Sequence, residues 1–132
     1  MRVEVGTELP ELVKEPTTQT LAQYAGASGD FYQIHYDREF AQGVGLPGVI
    51  LHGLLKTAYL GQLVTDWLGD EGTLEVLDVS YRGMDFPGHP YRCRGVVNSM
   101  EGQRADLDVW GEDPEGRRTT VGTARVHFKG KG

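Results

Sequence analysis

The rhythm of apolar and polar positions changes near residue 70 of this chain. Before that point apolar residues recur at helical spacing, and after it they alternate. A 3.6-residue period puts every third or fourth side chain on one helix face, while a period of two lines one face of a strand. Leu21, Ala22, Tyr24 and Ala25 fall near helical spacing behind Thr17 and Thr18, whose hydroxyls can accept an orphan N–H of a first turn. Gly26 and Ser28-Gly29 end that helix. Residues 30–48 read as an ordered loop with one helical turn at 37–42. Over residues 50–68 polar positions such as Lys56, Thr57, Gln62, Thr65 and Asp66 are few among the apolar ones. Apolar surface therefore nearly encircles this second helix, the pattern of a helix buried on most sides. Gly69 closes it as a C′ residue.

Residues 74–84, 91–99, 104–110 and 119–128 are strand-like, separated by turn signals such as Glu101-Gly102. A phase slip at Val76-Leu77 predicts a bulge. Two short β-like pieces precede them, at residues 2–5 and at Val13, the latter ending at Pro16. One long helix followed by an antiparallel meander or similar sheet implies that the sheet curls around the helix, an α+β layout.

Composition narrows the classes. The 132 residues suit one domain, 1–132, and carry a formal charge of −6 from 13 basic and 19 acidic residues. An acidic chain without a Lys/Arg cluster argues against nucleic acid as a partner. The single Cys93 excludes an internal disulfide framework and a Cys-based zinc site, and fits a reducing cytosol. The longest uncharged run, residues 40–55, is interrupted by Gly43, Gly45, Pro47 and Gly48 and is too short to span a membrane. The opening residues carry charges where a signal peptide has its apolar core. A soluble, cytoplasmic protein is the expectation. Nineteen glycines are the compositional oddity, roughly twice the usual ~7%.

Many of those glycines surround the candidate chemistry. Asp30 and His35 lie five residues apart in Asp30-Phe31-Tyr32-Gln33-Ile34-His35, and Leu51-His52-Gly53 opens the long helix. Here the chain resembles the MaoC-like family of (R)-specific enoyl-CoA hydratases and 3-hydroxyacyl-ACP dehydratases, which have the hotdog fold. The family's hydratase motif is Asp, any residue, Asn-Pro, an aliphatic and His; its helix-opening element is aliphatic-His-Gly. The resemblance covers nearly the whole chain. It implies a single hotdog domain with a curved antiparallel sheet wrapped around a long central helix. It also implies that Asp30 and His35 form the catalytic pair, that the Gly53 N–H polarises a thioester carbonyl, and that Tyr32 and His52 contact substrate. Two departures stand out: Tyr32-Gln33 replaces Asn-Pro, and Ala58, beside Thr57, stands where some members have serine.

The residue types suit that chemistry independently. Hydrating an α,β-unsaturated thioester needs a base for water, an acid for the α-carbon and a donor for the enolate-like oxygen. A carboxylate and an imidazole in one loop can converge on one water. Burial in an apolar setting would bring the carboxylate's pKa nearer to a useful range. Unpaired N–H groups at a helix start favour a developing oxyanion, and the missing side chain of Gly53 leaves room for a carbonyl.

Blander roles stand beside these. An Asp after Ser-Gly is commonly a turn or cap residue. His52 reads as a packing side chain that is also a pocket-lining candidate, and His89 and His127 read as structural. Arg82, Arg92 and Arg94 either solvate the sheet or meet a phosphate. The spacing of Asp30, His35, Asp37 and His52 fits no zinc signature, and residues 43–48 lack the Gly-Lys-Ser/Thr of a phosphate loop.

The resemblance therefore implies an enoyl-thioester hydratase/dehydratase with acyl-CoA or acyl-ACP as substrate, water as co-substrate and no cofactor. It implies a homodimer joined edge to edge, with the pocket between subunits. Two alternatives stay open: a subunit of a heteromeric dehydratase with a partly structural role, and a hotdog acyl-CoA thioesterase.

Overall fold

The computed structural model describes residues 2–28, 37–46 and 48–130. Strand β1 (Leu12–Lys14) precedes helices α1 (Thr18–Ser28), α2 (Arg38–Gly43) and α3 (Gly53–Leu68). A 3-10 turn, Gly69–Glu71, then leads into β2 (Gly72–Tyr81), β3 (Tyr91–Glu101), β4 (Arg104–Glu112) and β5 (Arg118–Phe128). Thr17 begins α1 through a reciprocal pair, Thr20 N–H to Thr17 Oγ1 at 3.2 Å and Thr17 N–H to Thr20 Oγ1 at 3.1 Å. The Asp37 carboxylate accepts the Phe40 N–H at 3.0 Å and caps α2, which satisfies one orphan donor of a helix too short to stand alone.

The five strands form one antiparallel sheet in the order β1-β3-β4-β5-β2. Alternation along them sorts the side chains. Cys93, Val97, Leu107, Val109, Ala124 and Val126 point inward and are buried, while Arg94, Asp106, Asp108 and Arg125 face out. Leu60, Leu63, Val64 and Leu68 of α3 pack on this inner face, each contributing roughly 1.5–3 kcal/mol by leaving water. A smaller cluster of Leu21, Ala41, Val49, Leu51 and Leu55 joins α1 and α2 to the beginning of α3. This is the α+β arrangement expected from the pattern, with the sheet laid around one long helix.

Several boundaries differ from the sequence expectation. The long helix begins at Gly53 rather than at residue 50, because the Leu51 N–H leaves the helical ladder to donate to the Asp85 carbonyl at 2.9 Å. Most of the helix is buried or half-buried as its pattern implies, and its open side carries Leu54, 61% exposed, and Ala58. Strand β2 stops at Tyr81, short of residue 84, because the Arg82 and Gly83 N–H groups turn to the Thr119 carbonyl at 2.7 and 3.0 Å. The bulge falls one residue earlier than expected, with Glu75 extra between Leu74 and Val76. Residues 2–5 form no strand, although Glu8 bridges Val96 and Gly6 donates to Val97. Finally, β3-β4-β5 is a meander, but β2 joins its far side beside β5.

Candidate active site

Asp30, Tyr32 and His35 lie outside the described residues. The described part of the site is the start of α3 and whatever packs upon it. His52 occupies the N-cap position in extended conformation (φ −61°, ψ 136°), and its side chain makes no capping hydrogen bond. Its ring is fully buried and meets the Tyr24 ring edge-on, with centroids 4.7 Å apart and planes at 65°. Gly53 follows as the first helical residue. The opening N–H groups of a helix have no intrahelical acceptor, and the summed peptide dipoles place roughly +0.5 charge there. No acidic residue occupies this first turn, so the positive end is left uncompensated from within the helix.

The sequence left open space beside Gly53, and the structure fills it. A Cβ at this position would stand 2.9 Å from Cζ of the Tyr81 ring. The Tyr81 hydroxyl lies 2.7 Å from Thr57 Oγ1, one turn further along α3. The end of β2 is thereby pinned across the helix start. Ala58, the departure from the family's serine, contributes nothing to this contact, whereas its neighbour Thr57 does.

Beneath Tyr81 lies a polar cluster that the sequence did not announce. The Lys56 ammonium donates to Asp85 Oδ2 at 3.0 Å and to the Gly83 carbonyl at 3.1 Å, and Thr119 Oγ1 donates to the same Asp85 oxygen at 2.6 Å. Both partners of the ion pair are buried. Removing two charges from water is costly, and only good geometry with further hydrogen bonds offsets it; here Thr119 and the Gly83 carbonyl supply those bonds. Asp85 thus grips the helix start on both flanks. Its carbonyl holds Leu51 and its carboxylate holds Lys56, so His52-Gly53 lies between two fixed points. A lone lysine among apolar helix positions was the available signal, but its acidic partner lies 29 residues away, beyond the reach of local pattern.

Two cavities flank the turn that carries Asp85. One, of about 400 Å³, is lined by Met84, Phe86, His89, Tyr91, Asp113 and Arg117. The other, of about 520 Å³, is lined by Thr18, Arg38, Gly48, Val49, Pro87 and again Phe86 and His89. His89 is exposed beside Gly88, whose φ of +86° makes the turn. Arg92 and Arg94 are engaged by Glu11 at 2.7 and 2.6 Å across β1 and β3, which occupies them on the sheet; Arg82 is exposed. Inside the core, burial pushes the Cys93 thiol up to about 12 and raises the Tyr91 and Tyr59 phenols, so all three stay neutral near pH 7.

Comparison with known proteins gives a consistent result. The family described as the MaoC like domain matches residues 4–115. A fatty acid synthase beta subunit, TOXC of Cochliobolus carbonum, is 32% identical over 112 residues, covering 80% of this chain and 5% of that subunit. The chain therefore spans about one-twentieth of that relative's length. The 3-oxo-4,17-pregnadiene-20-carboxyl-CoA hydratase beta subunit of Mycobacterium tuberculosis is 31% identical over 120 residues, covering 89% of this chain and 91% of that subunit. Among solved structures, an (R)-hydratase of A. caviae involved in PHA biosynthesis superposes with a TM-score of 0.90 at 24% identity, over 96% of this chain and 98% of the other. That likeness establishes the hotdog fold.

Proposed function

The chain belongs to the MaoC-like domain family, and from that premise we propose that it is an (R)-specific enoyl-thioester hydratase/dehydratase. In this reading it adds or removes water across the C2–C3 bond of an acyl-CoA or acyl-ACP. The observation that carries the proposal is the start of α3, where Gly53 opens a helix behind an extended His52 within the family's aliphatic-His-Gly element. The relative from Mycobacterium tuberculosis, itself named a hydratase subunit, supports the same chemistry.

Asp30 and His35 act on one water. Its oxygen bonds to C3, one proton passes to the pair, and a proton is delivered to C2, so the elements of water are added without any redox change. Charge gathers on the thioester oxygen as C3 is attacked, and the Gly53 N–H with the positive end of α3 stabilises it. Tyr32 borders the bound acyl thioester, while the buried His52 ring packs on Tyr24. The partner is a second copy, joined along the free edge of β2, where Val76 and Tyr81 are exposed, and along the Leu54 and Ala58 face of α3.

A second reading has the chain as one subunit of a heteromeric dehydratase. The word "subunit" in the name of its full-length relative favours it, as does the replacement of Asn-Pro by Tyr32-Gln33. The purified chain decides between them: its mass in solution and its turnover of trans-2-enoyl-CoA substrates of graded length, followed by loss of the conjugated absorbance. Turnover by the chain alone is expected. Asp30→Asn and His35→Ala should each lower kcat by roughly 100-fold or more, and unchanged rates in both would overturn the catalytic pair. Release of free thiol instead of hydration would mark a thioesterase.

A further inference from the structure

Among the described residues, eight of the twelve lysines and arginines are engaged. Lys56 binds Asp85, Arg92 and Arg94 bind Glu11, Arg104 binds Glu75, Arg117 binds Asp113 and Arg125 binds Asp106. Arg118 lies over the Trp110 ring at 3.9 Å and Lys14 over Tyr59 at 5.4 Å. Among the described residues, Arg2, Arg38, Arg82 and Lys129 have neither an acidic nor an aromatic partner. Lys129 lines a cavity shared with the acids Asp70 and Glu71. Arg38 differs: it lines the 520 Å³ cavity, whose described lining holds no carboxylate and adds His89 as a second basic side chain.

We propose that this cavity is the carrier subsite, with Arg38 and His89 binding a phosphate of the pantetheine-bearing carrier and Val49, Phe86 and Pro87 forming the apolar wall for its arm. The inference rests on the enoyl-thioester reading and specifies the part of the substrate that is not acyl chain. Three properties support it. A guanidinium presents paired donors that match phosphate oxygens. The volume lies within the ~300–1,000 Å³ typical of small-ligand sites. The position is also suitable: Val49 and Phe86 are within two residues of the Leu51–Asp85 hydrogen bond that holds the start of α3. On a chain of formal charge −6, general attraction does not draw in a polyanionic carrier, and recognition needs a local cationic site.

The test compares three thioesters of one enoyl acid, made with coenzyme A, phosphopantetheine and unphosphorylated pantetheine, in wild type, Arg38→Gln, Arg38→Lys and His89→Asn. The readout is the ratio of kcat/KM for each phosphorylated substrate to that for the pantetheine thioester. Arg38→Gln should lower this ratio about tenfold, mainly through KM, with partial recovery in Arg38→Lys and a smaller fall in His89→Asn. Arg82→Gln, which removes a cation outside the cavity, should keep the wild-type ratio. A fall for the coenzyme A substrate alone assigns the site to its nucleotide phosphates, and a fall for both assigns it to the phosphate shared with acyl carrier protein. A ratio unchanged in Arg38→Gln overturns the subsite while leaving the enzyme reading intact. A wild-type protein silent toward all three overturns that reading and the subsite with it.

Discussion

Tyr81 stands where a side chain at Gly53 would go. A Cβ on Gly53 would meet the Tyr81 ring at 2.9–3.3 Å, while the Tyr81 hydroxyl is held by Thr57 at 2.7 Å. Space beside the first residue of α3 is therefore occupied by the end of β2, and the absence of a side chain there serves packing between elements.

Replacing Gly53 by Ala should push the Tyr81 ring aside, breaking its bond to Thr57 and tilting the helix start. Alanine's helix propensity, up to ~1 kcal/mol over glycine, offsets a lost hydrogen bond of similar size. The melting temperature should thus change little while turnover falls at least tenfold. Adding Tyr81→Leu should restore most of the activity by vacating the space. If the double variant stays inactive, the missing side chain serves the substrate and not Tyr81.

Lys56→Met leaves the Asp85 carboxylate buried with Thr119 and no cation. Stranding one charge of a buried pair costs about 3–5 kcal/mol, so the denaturant midpoint should drop sharply. The double change Lys56→Met with Asp85→Leu removes both charges and should regain at least half of that loss. Equal instability in single and double variants would mean that volume, and not charge, governs the site.

Gly111 faces the Tyr91 phenol so closely that a Cβ would overlap its hydroxyl and ring carbons. Gly111→Ala should cost roughly 1–3 kcal/mol by overpacking. Because the ring itself is in the way, Tyr91→Phe should not relieve the loss, whereas Tyr91→Leu should in part. Thermal unfolding of the three variants checks this order.

Cys93 is buried, and its thiol is pushed up to about 12 by desolvation. The native thiol should resist disulfide reagents at pH 8 and react once the chain is unfolded. The unfolded thiol ionises near ~8.5, so the folded state holds its proton more tightly. The resulting stabilisation is complete below that pH and is lost as pH rises toward 12. Between pH 9 and 10 the loss should be about 1.2 kcal/mol from this one group. Urea unfolding of wild type against Cys93→Ala should show the smaller slope in the variant.

The legible parts of this protein were those written in nearby residues. Two-residue alternation marked β3, β4 and β5 to within two residues of their ends, since side chains on a pleated strand must alternate whatever their partner. Helical spacing marked α1 and α3, and the Asp37 turn was visible because the capping carboxylate lies three residues from the N–H that donates to it. Of the candidate site, only the helix-opening element falls among the described residues, and Leu51-His52-Gly53 does lead into the long helix. Its first residue was misjudged, because the bond that straightens residues 50–52 comes from Asp85.

The sequence by itself determined the element types, the antiparallel α+β class, the inward faces of the strands and the identity of the family, all of which depend on local spacing and short motifs. Tertiary structure alone decided that β2 lies beside β5 and that Tyr81 covers Gly53. It also decided that Lys56 is a buried ion-pair partner and that Arg38 and His89 share a cavity. Each of these joins residues far apart in the chain through packing, desolvation and long-range hydrogen bonds, and a periodicity confined to one segment carries no record of what lies against it.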